Sequence, residues 1–404
     1  MSKKIAGIIA VFLMASAGWM ILGSSISVRT SQQDDRLRQA VGELWGTPLQ
    51  QRAPDTYVLV ERPATEEKWD EVKKAWVKHT CVDKHAIPVI QSRVRLDIHL
   101  DQRRKGLLWY STYRVKFAGK YVFQNTTGRP DDVEILFAFP APNGIYDDFV
   151  FTVDDAATPF ERVGGDKVLA RVPTEVEARH TLSVAYVSQG LDTFTYRFAD
   201  GIGEVRDFSL VMTTDFDGFD FPGNTMSPTV KNRKADGWEL AWTYKNLISG
   251  NGIGLQMPKK INPGPMAARI SFFAPVSLGF FFFLIFIVCV LKRVDVHPMN
   301  YFFLAAAFFA FHLLLAYLVD HISIHAAFAI CSAVSLFLVV SYMRLVVGTR
   351  FAFVETALSQ LVYLVGFSYA FFFEGFTGLA VTVGAIVTLF VVMQLTARID
   401  WSAR

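Results

Sequence analysis

Apolar runs long enough to cross a bilayer stand at the two ends of this chain and nowhere between. One covers 5–28 without a charge, and five more follow closely at 272–291, 301–319, 322–343, 351–373 and 378–397. A hydrocarbon core of roughly 30 Å needs about 20 helical residues, and each run supplies them. The pattern predicts an N-terminal transmembrane anchor over 1–28, a large water-exposed insert over 29–269 and a C-terminal five-helix transmembrane bundle over 270–404. The run 5–28 exceeds the usual apolar length of a signal peptide, so it reads as an uncleaved anchor.

The insert begins with helical spacing and then changes period. Leu37, Val41, Leu44 and Trp45 recur on one helical face before Gly46 and Pro48, and Trp69, Val72 and Trp76 predict a second helix over 66–78. From there the period is two. Ile90, Val94, Leu96, Ile98 and Leu100 alternate with Gln91, Arg93, Arg95, Asp97 and His99, which predicts a half-buried strand. Further strands are predicted at 107–117, 121–124, 133–139, 149–153, 167–172, 181–187, 193–198, 205–213 and 238–244. Short strands at this spacing, with Gly, Pro, Asn and Asp between them, predict an antiparallel, sandwich-like, mainly-β domain with two helices near its start.

Charge then sets the orientation. Lys3, Lys4, Lys292, Arg293, Arg344, Arg350, Arg398 and Arg404 flank alternate ends of the spans, whereas the loops around Asp320–His321 and 374–377 carry no Lys or Arg. Basic residues are retained on the cytoplasmic side. Both termini are therefore predicted to be cytoplasmic and 29–269 to lie on the outer side of the membrane, in a multi-pass protein. Removing these eight basic groups from 40, and Asp295, Asp320, Glu355, Glu374 and Asp400 from 37, leaves 32 of each sign in the insert. The net +3 thus reports topology and argues for no nucleic acid.

Of the three cysteines, Cys289 and Cys331 fall in spans, so Cys81 has no partner for a disulfide within the insert, and no CxxC or Cys/His metal spacing occurs. The loop Phe139-Pro140-Ala141-Pro142-Asn143 with Tyr146-Asp147-Asp148 reads as turn chemistry ahead of a metal site. Asp215, Asp217 and Asp220 alternate with Phe216, Phe219 and Phe221 around a Gly218 turn and read the same way. Asn125-Thr126-Thr127 has the form of a glycosylation sequon. Tyr110, Tyr113, Trp238 and Trp242 are the candidates for a glycan-stacking face, against the commoner role of such residues in a core. No cofactor motif, Walker sequence, HExxH or GxSxG is present.

Within the bundle, polar groups carry more information because burying them in lipid is expensive. His312, Glu355 and Gln360 lie inside the spans, and Asp320, His321 and His325 lie at the outer boundary. His321 and His325, four apart, would share a helical face, a spacing able to hold a metal. Ala380 and Gly384 form a small-xxx-small pair for close helix packing.

The segment His297-Pro298-Met299-Asn300-Tyr301, the run Leu313-Leu314-Leu315, the pair Asp320-His321 and the ending Arg398-Ile399-Asp400-Trp401 together resemble the CreD family of bacterial inner-membrane proteins. The resemblance is best over 291–401 and rests on the HPM element (His297, Pro298, Met299) and the IDW element (Asp400, Trp401). It implies one anchor, a periplasmic domain and a C-terminal bundle, with a role in envelope integrity and stress response and no established reaction. Read from the residues alone, Pro298 suits the first turn of a span with His297 as its cap. The expectation is an envelope protein without catalytic activity or cofactor. Its partners are the bilayer and a periplasmic protein, glycan or lipid, with a homo-oligomer also open. The alternative is a transporter or membrane-embedded enzyme acting on an envelope lipid through His312, Asp320, His321 and Glu355.

Overall fold

A computed structural model of the chain describes residues 2–70, 75–198, 203–373 and 375–397, with backbone alone for 2, 62–70, 75–81 and 395. It divides into two compact units, Met1–Arg36 with Ile261–Arg404, and Leu37–Lys260.

The first unit is helical. Helix α1 spans Ser2–Trp45 and is followed after the insert by α2 (Pro263–Lys292), α3 (Pro298–Leu318), α4 (Ile324–Val346), α5 (Thr349–Phe372) and α6 (Thr377–Thr396). All six are long and apolar enough to cross a membrane. In α2, α3 and α6 the apolar character runs all round the helix, as expected of segments facing lipid on one side and neighbours on the other. Phe281, Phe308, Leu278, Leu304 and Leu315 form the packed centre, with the Phe281 and Phe308 rings 4.6 Å apart. A Cβ built on Gly384 would lie 2.5 Å from the Phe367 ring, so this glycine lets α6 approach α5. Helix α5 is irregular, with π-helical turns at Ala352–Thr356 and Leu361–Gly366.

The second unit is mainly β. In chain order its strands are β1 (Leu49–Arg52), β2 (Asp55–Asp70), β3 (Ala75–Ala86), β4 (Val89–Leu100), β5 (Arg103–Lys105), β6 (Leu108–Tyr110), β7 (Thr112–Gln124), β8 (Asp131–Ala138), β9 (Tyr146–Val153), β10 (Ala156–Ala157), β11 (Glu161–Val163) and β12 (Lys167–Thr174). They continue with β13 (Arg179–Leu191), β14 (Thr193–Arg197), β15 (Gly203–Thr214), β16 (Val230–Lys234), β17 (Gly237–Ser249) and β18 (Ile253–Gln256). An eight-stranded sheet has the order β10-β9-β13-β7-β4-β15-β17-β16, and a five-stranded sheet the order β11-β12-β8-β2-β3. A three-stranded sheet, β1-β14-β18, and the β5-β6 ribbon complete the unit.

Two sequence expectations change here. The antiparallel reading fails at two joints, because β15 pairs with β4, and β1 with β14, in parallel. Each of these pairs joins segments more than 100 residues apart in the chain, so the connection is a crossover and no local pattern sets its direction. The helix expected over 66–78 also does not form over the described residues of that segment, 66–70 and 75–78. Residues 67–70 and 75–78 instead form a ladder in which Trp69 stands opposite Trp76. Strand β2 already pairs with β8 from Asp55, and the extended backbone continues through a register shift at Pro63–Glu67. Sheet pairing overrides the helical spacing of Trp69 and Trp76, and Val72 lies outside the described residues. The helix around Leu37 to Trp45 does form, as the last turns of α1, and Gly46 stops it at a φ of 103°.

Alternation is strict on the central strands. Val94, Leu96 and Ile98 of β4 and Val115, Phe117, Tyr121 and Phe123 of β7 are buried together with Val133, Ile135 and Phe137 of β8 and Val168 and Ala170 of β12. The core therefore lies between the inner faces of the large and five-stranded sheets. Each of the Val, Leu, Ile and Phe side chains contributes about 1.5–3 kcal/mol by leaving water. Buried phenols are tied inside it: Tyr186 donates to Gln51 Oε1 at 2.7 Å and Tyr113 to the Thr193 carbonyl at 2.6 Å. Burial pushes both hydroxyls well above the usual tyrosine range, so they serve as neutral donors.

Candidate functional site

The deep polar groups of the helical unit are mostly engaged in holding helices together. His312 is fully buried on α3, with Nδ1 2.9 Å from the Phe308 carbonyl, and its ring lies edge-on to Trp19 at 5.6 Å. A carbonyl accepts only, so Nδ1 donates and Nε2 carries the lone pair. His312 Nε2 and Trp19 Nε1 are both buried without a partner among the described residues. Asp320 pairs with Arg29 at 3.3 Å, and Arg29 also donates to the Ala316 carbonyl at 3.1 Å. Glu355 sits in the first π-helical turn of α5 and pairs with Lys292, while its carbonyl accepts from Ser359 Oγ at 2.6 Å. Gln360 Nε2 donates to Ser335 Oγ at 2.8 Å, and Ser335 donates to the Ala307 carbonyl at 2.8 Å, linking α5, α4 and α3.

His321 and His325 do not share a helical face. His321 lies in the turn after α3, Ser323 caps α4, and His325 stands in the first turn of α4 with its ring 4.9 Å from that of Phe372. The cap resets the chain direction between them. No group of three or more His, Cys, Asp or Glu able to hold a metal occurs among the described residues. The HPM element is a helix start: His297 Nδ1 accepts from Met299 N at 3.2 Å, and Pro298 takes the first helical position. Met299 is exposed. Asp400 and Trp401 lie outside the described residues.

Several loop and aromatic candidates of the insert prove structural. Tyr146 donates to the Ala141 carbonyl at 2.6 Å and closes its turn. Asp215 pairs with His99, and Asp217 accepts from Trp238 Nε1 at 2.7 Å and pairs with Arg233, so these carboxylates serve separate contacts. Asn125 is buried, its Nδ2 donating to the carbonyls of Arg129 and Thr174 at 2.9 and 3.1 Å, which removes it as a glycan acceptor. Tyr110, Tyr113 and Trp242 are buried and cannot stack on a glycan. Their periodic positions face the core, which accounts for their spacing.

What remains open is the outer face of the large sheet. On β4, Arg93, Arg95, Asp97 and His99 are exposed, and on β7, Arg114, Lys116, Ala118 and Lys120. Register sets Arg93 opposite Lys120, Arg95 opposite Ala118, Asp97 opposite Lys116 and His99 opposite Arg114. The neighbouring strands contribute short neutral side chains, Ser183, Ala185 and Val187 from β13 and Ser209, Val211 and Thr213 from β15. A cavity of about 480 Å³ lies there, lined by Arg93, Arg95, Lys120, Ser183 and Ser209 among others. Arg93 pairs with Asp207 at 2.7 Å, and hydrogen bonds from Gln91 and Arg93 hold the Asp207 carboxyl below the usual range. Alternation on β4 was readable along the chain, but the matching cations of β7 join them only through register.

Comparisons with known proteins add a family and little else. No curated protein matches the chain. Among solved structures, a putative nutrient binding protein from Legionella pneumophila is 11% identical over 56% of this chain and 77% of its own, with a TM-score of 0.35. An M1 zinc metallopeptidase from Deinococcus radiodurans is 9% identical over 42% of each chain, with a TM-score of 0.27. Likenesses at this level carry no argument about fold or activity. The sequence match is more informative, because residues 221–402 match the family described as inner membrane protein CreD, and this segment contains α2 to α6. Over residues 221–402, a little under half of its length, the chain is similar to the CreD family of inner-membrane proteins.

Proposed function

We propose that the protein is a non-enzymatic envelope-integrity component whose mainly-β unit binds a periplasmic partner or envelope constituent while the helical bundle anchors it or relays its state. The observation that carries this reading is the contrast between engaged and open polar groups. Asp320 has a partner within the bundle, as do one carboxylate oxygen of Glu355 and the amide nitrogen of Gln360. The large sheet, by comparison, offers charged side chains to solvent along β4 and β7. The basic residues at alternate span ends support cytoplasmic termini and a periplasmic insert over 29–269.

A second reading, transport or chemistry on a lipid within the bundle, has its own support. Helix α5 carries two π-helical turns, a feature frequent at functional sites, and Thr356 Oγ1 and Gln360 Oε1 are buried without partners among the described residues. Rescue of a deletion strain, scored by detergent and cell-wall-antibiotic sensitivity, separates the two. His312→Phe and Glu355→Gln are expected to rescue, and removal of 90–245 to abolish rescue, with each variant inserted at normal abundance. A thiol introduced at Gly128 and labelled from outside reports correct insertion and orientation. Failure of either point variant to rescue would favour the bundle reading.

A further inference from the structure

The outer face of the large sheet has a charge pattern that folding alone does not explain. Arg93 and Lys120 stand directly opposite each other, an arrangement that destabilises a sheet. Arg114 and Lys116 continue the cations along β7, and Arg95 stands one alternation from Arg93 on β4. Asp207 neutralises Arg93, but among the described residues no carboxylate lies within 4.0 Å of a cationic nitrogen of Arg95, Arg114, Lys116 or Lys120. From the row of Arg93 to that of Lys116 the strands on either side are electrically neutral, while Asp97 stands opposite Lys116 and Asp215 pairs with His99 in the row of Arg114. Ser183 Oγ, in the lining of the 480 Å³ cavity, is shielded from water and has no hydrogen-bond partner among the described residues.

We infer that this face binds a phosphate-bearing saccharide chain of the envelope. The inference rests on the proposed role of the β unit as a binding module and names its ligand class. Guanidinium groups match phosphate oxygens through two parallel hydrogen bonds, and ammonium groups add point charge. Arg95, Arg114, Lys116 and Lys120 supply both kinds of group without having to break an ion pair first. Ser209 and Thr213 set hydroxyls beside them that suit sugar hydroxyls. A protein partner fits less well. The core of a protein interface is rich in aromatic anchors, and the row of Arg95 holds Ala118, Ala185 and Val211 instead.

The test uses the full chain in detergent and inorganic polyphosphate as the probe, with uncharged dextran and poly-L-glutamate as comparators. Polyphosphate is expected to bind and to weaken roughly tenfold between about 50 and about 200 mM salt, as for a ligand whose phosphates are neutralised by a few cations. The variant Arg95→Ala, Lys116→Ala, Lys120→Ala should lose about tenfold or more in affinity with an unchanged melting temperature. The variant Arg103→Ala, Arg104→Ala, Lys105→Ala removes the same charge from β5 and should keep the affinity. Retained binding by the first variant, or an equal loss in the second, would overturn the assignment. Equal binding of poly-L-glutamate would give the face to an acidic protein segment. If cation-dependent polyphosphate binding stands while removal of 90–245 still permits rescue, the ligand class survives and the proposed cellular role falls. If the rescue results stand without polyphosphate binding, the role survives with a different ligand.

Discussion

The two units treat ionisable groups in opposite ways. In the helical unit, Glu355 is neutralised by Lys292 and Asp320 by Arg29, and His312 is hydrogen-bonded to its own helix. In the β unit, four cations stand on an open sheet face without a paired carboxylate among the described residues. Lipid explains the first pattern, because an unpaired charge there is expensive and is tolerated only with a partner. Water explains why the second can persist, since exposed ion pairs contribute little and their absence costs little. A polar residue inside the bundle is therefore weak evidence for activity once its partner is known. Unpaired charges gathered in register on one face are better evidence for a ligand.

The comparison predicts very unequal effects for neighbouring residues of the same sheet. Phe117 of β7 is buried and stacks on Tyr186 with ring centroids 4.9 Å apart. Phe117→Ala should destabilise the β unit by about 3–5 kcal/mol, seen as a lower unfolding midpoint of its tryptophan fluorescence. Arg95→Ala, on the opposite face of the adjacent strand, should stay within about 0.5 kcal/mol. A large loss at Arg95 would mean that the outer face is part of the fold's support, and the distinction between the two faces would collapse.

A smaller effect is expected where the bundle packs most tightly. Gly384→Leu places a side chain where a single Cβ already comes to 2.5 Å from the Phe367 ring. Overpacking of this kind typically costs about 1–3 kcal/mol. The melting temperature in detergent should fall while that of the β unit, followed separately, stays put. An unchanged bundle would show that α6 can move away from α5 freely, and close packing would not be what holds it.

Parts of this architecture were legible in the residues and parts were not. Six apolar runs announce six helices because length and composition alone decide what can cross a bilayer. The strict alternation from Val94 to Ile98 and the runs at 133–139, 167–172 and 181–187 mark strands β4, β8, β12 and β13, since one buried face forces a period of two. The His297 cap and Pro298 start of α3 were readable for the same reason that local hydrogen bonds depend on near neighbours. Misreading came where distant pairing governs. Trp69 and Trp76 have helical spacing, yet they stand opposite each other in the β2–β3 ladder, and β2 also pairs with β8. The parallel β4–β15 joint and the Arg93–Lys120 pairing depend on which strands meet, and no window of sequence contains that information. Nor do the π-helical turns of α5 leave a mark in composition.

The central claim is that the working surface is the outer sheet face and that the bundle's deep groups are structural. Rescue of the deletion strain by Arg95→Glu, Lys116→Glu, Lys120→Glu, set beside rescue by His312→Phe, tests it most directly. With both proteins at normal membrane abundance and the charge-reversed unit melting as the parent does, the account predicts that the charge reversal abolishes rescue and His312→Phe preserves it. Rescue by the charge-reversed protein together with failure of His312→Phe would contradict it and move the function into the membrane.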